Sequence, residues 1–237
     1  MRSKATPPKA SNAAATAAAL GVALLISGEA RAAVRRLLVF LHVAVKQRAL
    51  QSDLNQALPG VVVTAVGRPA DFDRALSEGQ DAVLTLPVLL SSRGLAPKLR
   101  GHRQGSAEEK YLLVAADVPP DPARVAAVGA LDILGREGTN SFVHGLVSSR
   151  PRVERVTKIE DLLPLLQMQR VSAILLPSRF YAEIRASSRL NLAQRELATP
   201  VGLPAAASVG PAGSEVLAAV SRLPPKLTKL LGVDEWR

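Results

Sequence analysis

Cysteine is absent from this 237-residue chain, and aromatic residues are scarce, with four Phe, two Tyr and one Trp. The lack of thiols excludes disulfides, cysteine nucleophiles and thiolate zinc sites. The shortage of rings argues against sugar sites and single-stranded nucleic-acid platforms, which stack their ligands on aromatic side chains. The three histidines, His42, His102 and His144, lie far apart without the spacing of metal ligands. We therefore expect no metal centre and no cofactor.

The charge balance is strongly basic but has no basic block. Lys and Arg number 30 against 20 Asp and Glu, which makes the formal net charge +10. Hydrophobic residues make up 48% of the chain and charged residues 21%, as in globular proteins. Because the basic residues are spread out, they predict solvated faces rather than a nucleic-acid interface. A positive field favours anionic small molecules that approach a cleft.

Local catalytic motifs are missing from the sequence. It has no G-x-S-x-G elbow, no H-E-x-x-H and no phosphate-binding P-loop, and its aspartates form no paired motif. The sequence thus predicts a protein that is not an enzyme, although a site assembled in three dimensions remains the open alternative.

The first 32 residues have the pattern of a secretory signal peptide. Arg2, Lys4 and Lys9 precede an apolar stretch over residues 13–27, and Ala30-Arg31-Ala32 follows as an Ala-x-Ala cleavage site. The apolar stretch is shorter than the roughly 20 residues that cross a bilayer. We expect cleavage after residue 32 and a periplasmic location. An Ala-rich tail or an uncleaved anchor is the alternative.

The rest of the chain alternates predicted strands and helices. Continuous apolar runs, typical of strands buried on both faces, predict strands over 37–45, 61–66, 81–86, 111–116, 130–134 and 172–176. Amphipathic stretches predict helices over 46–58, 71–78, 158–169 and 179–186, one starting at 141 and a mostly helical tail over 214–231. Residues 91–110 read as a polar surface excursion. This order favours the α/β class with largely parallel sheets.

Two αβ halves predict two lobes. We expect lobe 1 over residues 33–116 and 200–237 and lobe 2 over 117–199, joined by two hinge segments near 111–117 and 190–199. Parallel sheets bind ligands at the carboxyl ends of their strands. In a two-lobed fold those ends face each other across a cleft, which is where a ligand site is expected.

Several segments in this order resemble the type II class of periplasmic solute-binding proteins, the receptor components of ABC transporters. After the signal pattern, a helix and Gly79-Gln80-Asp81-Ala82-Val83-Leu84 resemble the helix, G-x-x-D, strand unit of the family's first lobe. Residues 161–176 (DLLPLLQMQRVSAILL) resemble the second lobe's unit, with Ser172 in place of the usual Asp. Residues 130–141 (ALDILGREGTNS) resemble the first strand of that lobe and the helix start behind it, where the family often holds an anion.

The resemblance implies a monomeric receptor that captures a small anionic solute between its lobes. Its phosphate- and phosphonate-type subgroup is the nearest in pattern, although the Ser/Thr-Ser-Gly run of that subgroup is not reproduced at 138–141. The implied partner is the membrane permease of an ABC transporter. The alternative is a degenerate sensory or interaction module of the cell envelope that acts with a membrane sensor.

The first group of candidate ligand residues follows the second lobe's strands. Gly138, Thr139, Asn140 and Ser141 stand where a loop is predicted to become a helix, so free N–H groups and hydroxyls would suit an oxyanion. The same residues would also suit an ordinary N-cap. Arg136 and Arg179 could bind a carboxylate or phosphate through two parallel hydrogen bonds, or could be solvated arginines at the rim.

The second group follows the first lobe's strands. Ser91 and Ser92 come after the third strand, and Lys46 comes at the end of the first. A plain polar loop would explain the two serines equally well, and Lys46 could simply begin a helix. His42 lies inside an apolar strand, where a packed core residue is expected rather than a ligand.

Overall fold

The computed structural model describes residues 34–43 and 45–237. The predicted signal peptide lies outside the described residues. Within the described part, no helix is both long enough and apolar enough to cross a membrane. Residues 34–237 form one compact unit that is built on two large mixed sheets.

The first sheet has six strands in the order β13-β4-β12-β3-β1-β2. The three strands at one edge, β3, β1 and β2, are parallel, and the other strands join in antiparallel pairs. The strands are β1 (Arg35–Val39), β2 (Val61–Ala65), β3 (Ala82–Thr85), β4 (Leu99–His102), β12 (Ala205–Ser208) and β13 (Glu235–Trp236).

The second sheet has five strands in the order β10-β6-β9-β7-β8. Here β7 pairs in parallel with β8 and β9, whereas β6 runs antiparallel to both of its neighbours. The strands are β6 (Tyr111–Ala116), β7 (Ala127–Leu131), β8 (Arg152–Val156), β9 (Ala173–Pro177) and β10 (Leu192–Glu196). We call the parts of the chain built on the two sheets the first and the second lobe.

Eight α-helices accompany the sheets within residues 34–43 and 45–237. They are α1 (Gln47–Ala57), α2 (Pro69–Ser77), α3 (Pro87–Ser92), α4 (Gly135–Leu146), α5 (Leu162–Gln167), α6 (Tyr181–Ser187), α7 (Gly213–Val220) and α8 (Pro225–Leu230). Apolar residues one turn apart, such as Leu50 and Leu54 of α1, are fully buried against the sheet. Strands alternating with helices that bury one face confirm the predicted α/β class.

The lobes are joined through a short antiparallel pair, β5 (Glu108–Glu109) with β11 (Val201–Gly202). The sequence placed the first hinge at 111–117, but residues 111–116 form β6 inside the second sheet, so this boundary is corrected to about residue 110. The reason is that Tyr111 to Ala115 are all buried, and such a strand is stabilised between two neighbours rather than as an exposed link.

Other local predictions also change. The predicted surface excursion over 91–110 contains β4 and β5, and β4 pairs with the short strand β12, which the sequence pattern did not show. The strand expected at 130–134 is β7 at 127–131, and α4 starts at Gly135 rather than at 141. Gly135 has a φ of +76°, which lets the chain turn directly from the strand into the helix.

Candidate functional site

A cavity of about 500 Å³ opens between the two lobes, and we call it the α1/α2 cavity. The first lobe contributes residues around the starts of α1 and α2, and the second lobe contributes the turn between β8 and α5. Its polar lining residues are His42, Lys46, Gln47, Arg68, Asp71, Thr157, Lys158 and Glu160. The elements β1, β2 and β8 all end on this side of their sheets, as expected for a site at the carboxyl ends of parallel strands.

Three basic residues stand at the N-caps of the elements that surround this cavity. Lys46 precedes α1, Arg68 precedes α2, and Lys158 precedes the short 3₁₀ turn at Ile159–Asp161. None of these N-caps makes a side-chain capping hydrogen bond. Ser, Thr, Asp and Asn are the usual residues there, and a cation is disfavoured by the positive end of a helix dipole. The arrangement therefore concentrates positive charge on one cavity.

Neighbouring carboxylates do not neutralise these cations. The ion pairs found within residues 34–43 and 45–237 include none of Lys46, Arg68 and Lys158. Asp71 lines the cavity, but its Oδ1 lies 2.7 Å from Arg74 Nη2 and is paired there. Glu160 remains as the carboxylate that faces three cations. The cavity thus has the electrostatic character of an anion site.

Two polar atoms on the same wall are buried without a hydrogen-bond partner among the described residues, Nε2 of His42 and Oε1 of Gln47. The Gln47 amide nitrogen donates to the carbonyl of Leu41 at 3.3 Å, which orients the side chain. Burial, helped by the positive charge of Arg179, lowers the pKa of His42 from 6.5 to about 4, and Asp132 opposes this only in part. The imidazole is therefore neutral at neutral pH, and both atoms are buried polar groups whose hydrogen bonds are not met among the described residues.

The hydroxyl that was expected to bind an anion at the start of α4 is used inside the protein. Thr139 is fully buried, donates to Asp132 Oδ1 at 3.0 Å and accepts from the Leu134 N–H at 3.1 Å. Arg155 pairs with the other oxygen of Asp132 at 2.7 Å. Since α4 begins at Gly135, residues 138–141 lie within the helix and not at its start.

The position of the Leu134 side chain explains why residue 138 is a glycine. Its side chain packs against a hydrophobic cluster of the first lobe that includes Leu38, Phe40 and Phe72. A Cβ on Gly138 would lie 2.6 Å from the Cβ of Leu134, so a side chain there would displace Leu134. The absence of a side chain at Gly138 thus leaves room for the apolar contact that Leu134 makes with the first lobe.

The remaining predicted site residues do not lie together in the structure. Arg136 and Ser141 are exposed on α4, and Asn140 is half-buried, with its Oδ1 unpartnered among the described residues. Ser91 and Ser92 are exposed at the end of α3, where Ser92 Oγ donates to the Leu89 carbonyl at 2.8 Å. Of the predicted site residues, Lys46 lines the α1/α2 cavity and Arg179 lines a different cavity, described below.

Sequence reasoning missed Arg68 and Lys158, which line the α1/α2 cavity. A signal was available, because Lys46 and Lys158 are the first residues of predicted helices and Arg68 lies between a predicted strand and a predicted helix. One such residue is unremarkable by itself. The fold is what brings the three together, from two different lobes.

The sequence matches no protein-family model, and no characterised protein matches it by sequence. Solved structures do match. XAC2383 from Xanthomonas citri bound to ATP is 13% identical with a TM-score of 0.62, over 85% of this chain and 90% of that one. The VFT2 domain of Bordetella pertussis BvgS is 12% identical with a TM-score of 0.55, over 84% of this chain and 91% of that one.

An arginine-bound ArgBP mutant from T. maritima is 15% identical with a TM-score of 0.52, over 83% of this chain and 94% of that one. These neighbours are periplasmic solute-binding proteins and Venus flytrap domains. The chain therefore has the two-lobed fold of that class.

Proposed function

We propose that this chain is a periplasmic receptor that binds a small anionic solute in the α1/α2 cavity. The observation that carries the proposal is the set of three basic, uncapped N-cap positions, Lys46, Arg68 and Lys158, on one inter-lobe cavity. Such positions are electrostatically unfavourable in the empty protein and become favourable once an anion is bound. The predicted signal peptide and the fold support an extracytoplasmic location.

Within this proposal, the ligand is a phosphate- or phosphonate-like oxyanion. Its oxygens would accept hydrogen bonds from the basic side chains and from free amides in the first turn of α1. Gln47 Oε1 is a buried acceptor and needs a donor, which an anion that keeps a proton supplies. Hydrogen phosphate and monoprotonated phosphonates have that proton at neutral pH, whereas sulfate does not.

Delivery to a membrane permease of an ABC-type importer is the transport role that we infer for this receptor. Since the cavity has walls from both lobes, a bound anion would hold the lobes together, and the β5–β11 pair is placed to act as the hinge. The chain would work as a monomer and as a binding protein rather than an enzyme.

Calorimetric and thermal-shift titrations of the purified chain with phosphate, methylphosphonate and sulfate test this proposal. Phosphate at about a hundred times its Kd should stabilise the fold by about 2.7 kcal/mol, a shift on the order of 5–10 °C. Lys46→Met and Arg68→Met should each weaken phosphate binding about tenfold, because each removes a charge-assisted hydrogen bond.

Arg48→Met is the matched control for the binding experiment. Arg48 is exposed near the start of α1 but does not line the cavity, so this variant should bind phosphate within about twofold of the parent chain. A flat response of folded protein to every anion, or an equal loss in Arg48→Met and Arg68→Met, would refute the assignment of the site.

A second candidate function, a sensory or interaction module, is favoured by one specific observation. A single hydrophobic cluster includes Leu41 and Leu86 of the first lobe together with Ile133, Ile159 and Phe180 of the second. Buried apolar contacts of this kind hold the lobes in one arrangement without a ligand. In this reading the protein presents a fixed surface to a membrane-bound partner.

Small-angle X-ray scattering separates the two candidates. A transport receptor should become more compact when phosphate binds, because its lobes close. A module with permanently joined lobes should keep the same radius of gyration with and without phosphate. The same data report the mass in solution and so test the inferred monomer.

A further inference from the structure

A second cavity of about 390 Å³ lies between α6 of the second lobe and α8 with the chain after it in the first lobe, and we call it the α6/α8 cavity. None of its lining residues lines the α1/α2 cavity. Its volume falls within the range of small-molecule sites in proteins, about 300–1,000 Å³.

Arg179 is the least exposed of the cations that line this cavity. Its side chain is 11% exposed, and its guanidinium carbon is 4.5 Å from the centre of the Phe180 ring. Gly232 packs closely on it, since a Cβ on that glycine would lie 3.2 Å from Arg179 Nε. One of its five N–H donors is directed to the carboxylate of Glu109. No other hydrogen bond of its guanidinium is found among the described residues.

Two arginines that line this cavity share one buried carboxylate. Glu109 is buried, and its carboxylate serves both Arg179 and Arg103, whose Nη1 lies 3.8 Å from Oε1. Desolvation and the charge of Arg103 lower the pKa of Arg179 to about 9. Lys229 adds a third cation to the wall. A buried guanidinium with unused donors is stabilised when an anion completes its hydrogen bonds.

The rest of the cavity lining is partly apolar and partly acidic. Phe180, Leu230 and Val233 give the cavity an apolar side, and the carboxylates of Glu183 and Asp234 are exposed at its rim. Asp234 is partly engaged already, because one of its oxygens accepts from the Gln104 N–H at 3.0 Å. An occupant would thus need an anionic end beside Arg179 and an apolar body beside the ring.

We propose that the α6/α8 cavity is a second binding site, for a small organic acid. The carboxylate of the acid accepts hydrogen bonds from Arg179 and an ionic contact from Lys229, and its apolar body packs on Phe180 and Leu230. This site is separate from the oxyanion site of the proposed function. Because its walls come from both lobes, its occupant would also contact both.

Benzoate is a suitable probe, and benzamide is its neutral counterpart of the same shape. In ¹⁵N-resolved NMR titrations of the purified chain, benzoate should cause saturable shifts in the backbone amides of Arg103, Gly232 and Val233. Benzamide should leave those amides unchanged, because it lacks the charge that Arg179 and Lys229 bind. Benzoate without effect on these amides, or benzamide with an equal effect, would overturn the proposal.

Two lysines of α8 provide matched variants. Lys229→Met removes a cation from the cavity wall and should weaken benzoate binding at least threefold, whereas Lys226→Met removes an exposed cation outside the wall and should not. Equal benzoate affinity in the two variants contradicts the site. Arg68→Met should bind phosphate about tenfold more weakly yet keep its benzoate affinity, so a failure of one site is distinguishable from a failure of the other.

Discussion

Thr139 provides a sharp test of what the start of α4 does. In Thr139→Val, the Leu134 N–H loses its acceptor at 3.1 Å, and Asp132 loses a donor at 3.0 Å but keeps Arg155 at 2.7 Å. Thr139 is fully buried, so water cannot replace the hydroxyl. An unsatisfied buried N–H costs about 1–3 kcal/mol, and we expect the free energy of unfolding to fall by about 2 kcal/mol.

Urea unfolding followed by circular dichroism measures this loss, and a phosphate titration of the same variant measures binding. Ser141→Ala is the control, because Ser141 is exposed on the same helix and its removal should change stability by less than about 0.5 kcal/mol. Both variants should keep the phosphate affinity of the parent chain. If Thr139→Val bound phosphate more than tenfold more weakly at unchanged stability, the hydroxyl would be a ligand contact and our reasoning would be wrong.

Two further predictions concern buried charge. Glu109→Gln leaves Arg179 without its carboxylate and should lower the free energy of unfolding by about 3 kcal/mol in urea titrations. The control Glu196→Gln breaks an exposed ion pair with Lys110 and should lower it by less than about 1 kcal/mol. Similar losses in the two variants would contradict this prediction. His42 has a folded-state pKa of about 4, below its usual 6.5, so the fold prefers neutral imidazole. Its contribution is full above pH 6.5 and is lost as the pH falls towards 4, by about 3 kcal/mol in all. The urea midpoint of the parent chain should therefore fall more steeply over that range than that of His42→Leu, and parallel pH profiles would refute the assignment.

Elements with strong local signals were predicted well. The apolar runs at 61–66 and 172–176 correspond to β2 and β9, and the amphipathic pattern at 46–58 corresponds to α1. The two strands are recognisable because they are short continuous apolar runs, and α1 is recognisable because its apolar residues recur at helical spacing.

Elements with weak local signals were not predicted. β4 contains Arg100 and Gly101 and lies in a polar stretch, and it is a strand because β12 and β13 supply its hydrogen-bond partners. β12 is a run of alanines followed by Ser208, which has no strand signature of its own. Their strand conformation depends on partners that are distant in sequence, and local patterns do not contain that information.

The candidate site shows the same division. A basic residue before a helix, as at Lys46, can be read from the sequence, and so can the likelihood that it lies at a strand's carboxyl end. Whether Thr139 faces a ligand or a backbone amide depends on where α4 begins. The helix begins at Gly135, which has a positive φ, six residues before the predicted start at 141.

Periodicity, composition and the order of the elements were enough to establish the α/β class and the two-lobed plan, since these follow from which residues must leave water. The location of the α1/α2 cavity followed only from the packing of the lobes. Lys46, Arg68 and Lys158 are separated by up to 112 positions, and only the folded backbone brings their charges to one surface. Coulomb interactions depend on distance in space, and distance along the chain does not report it.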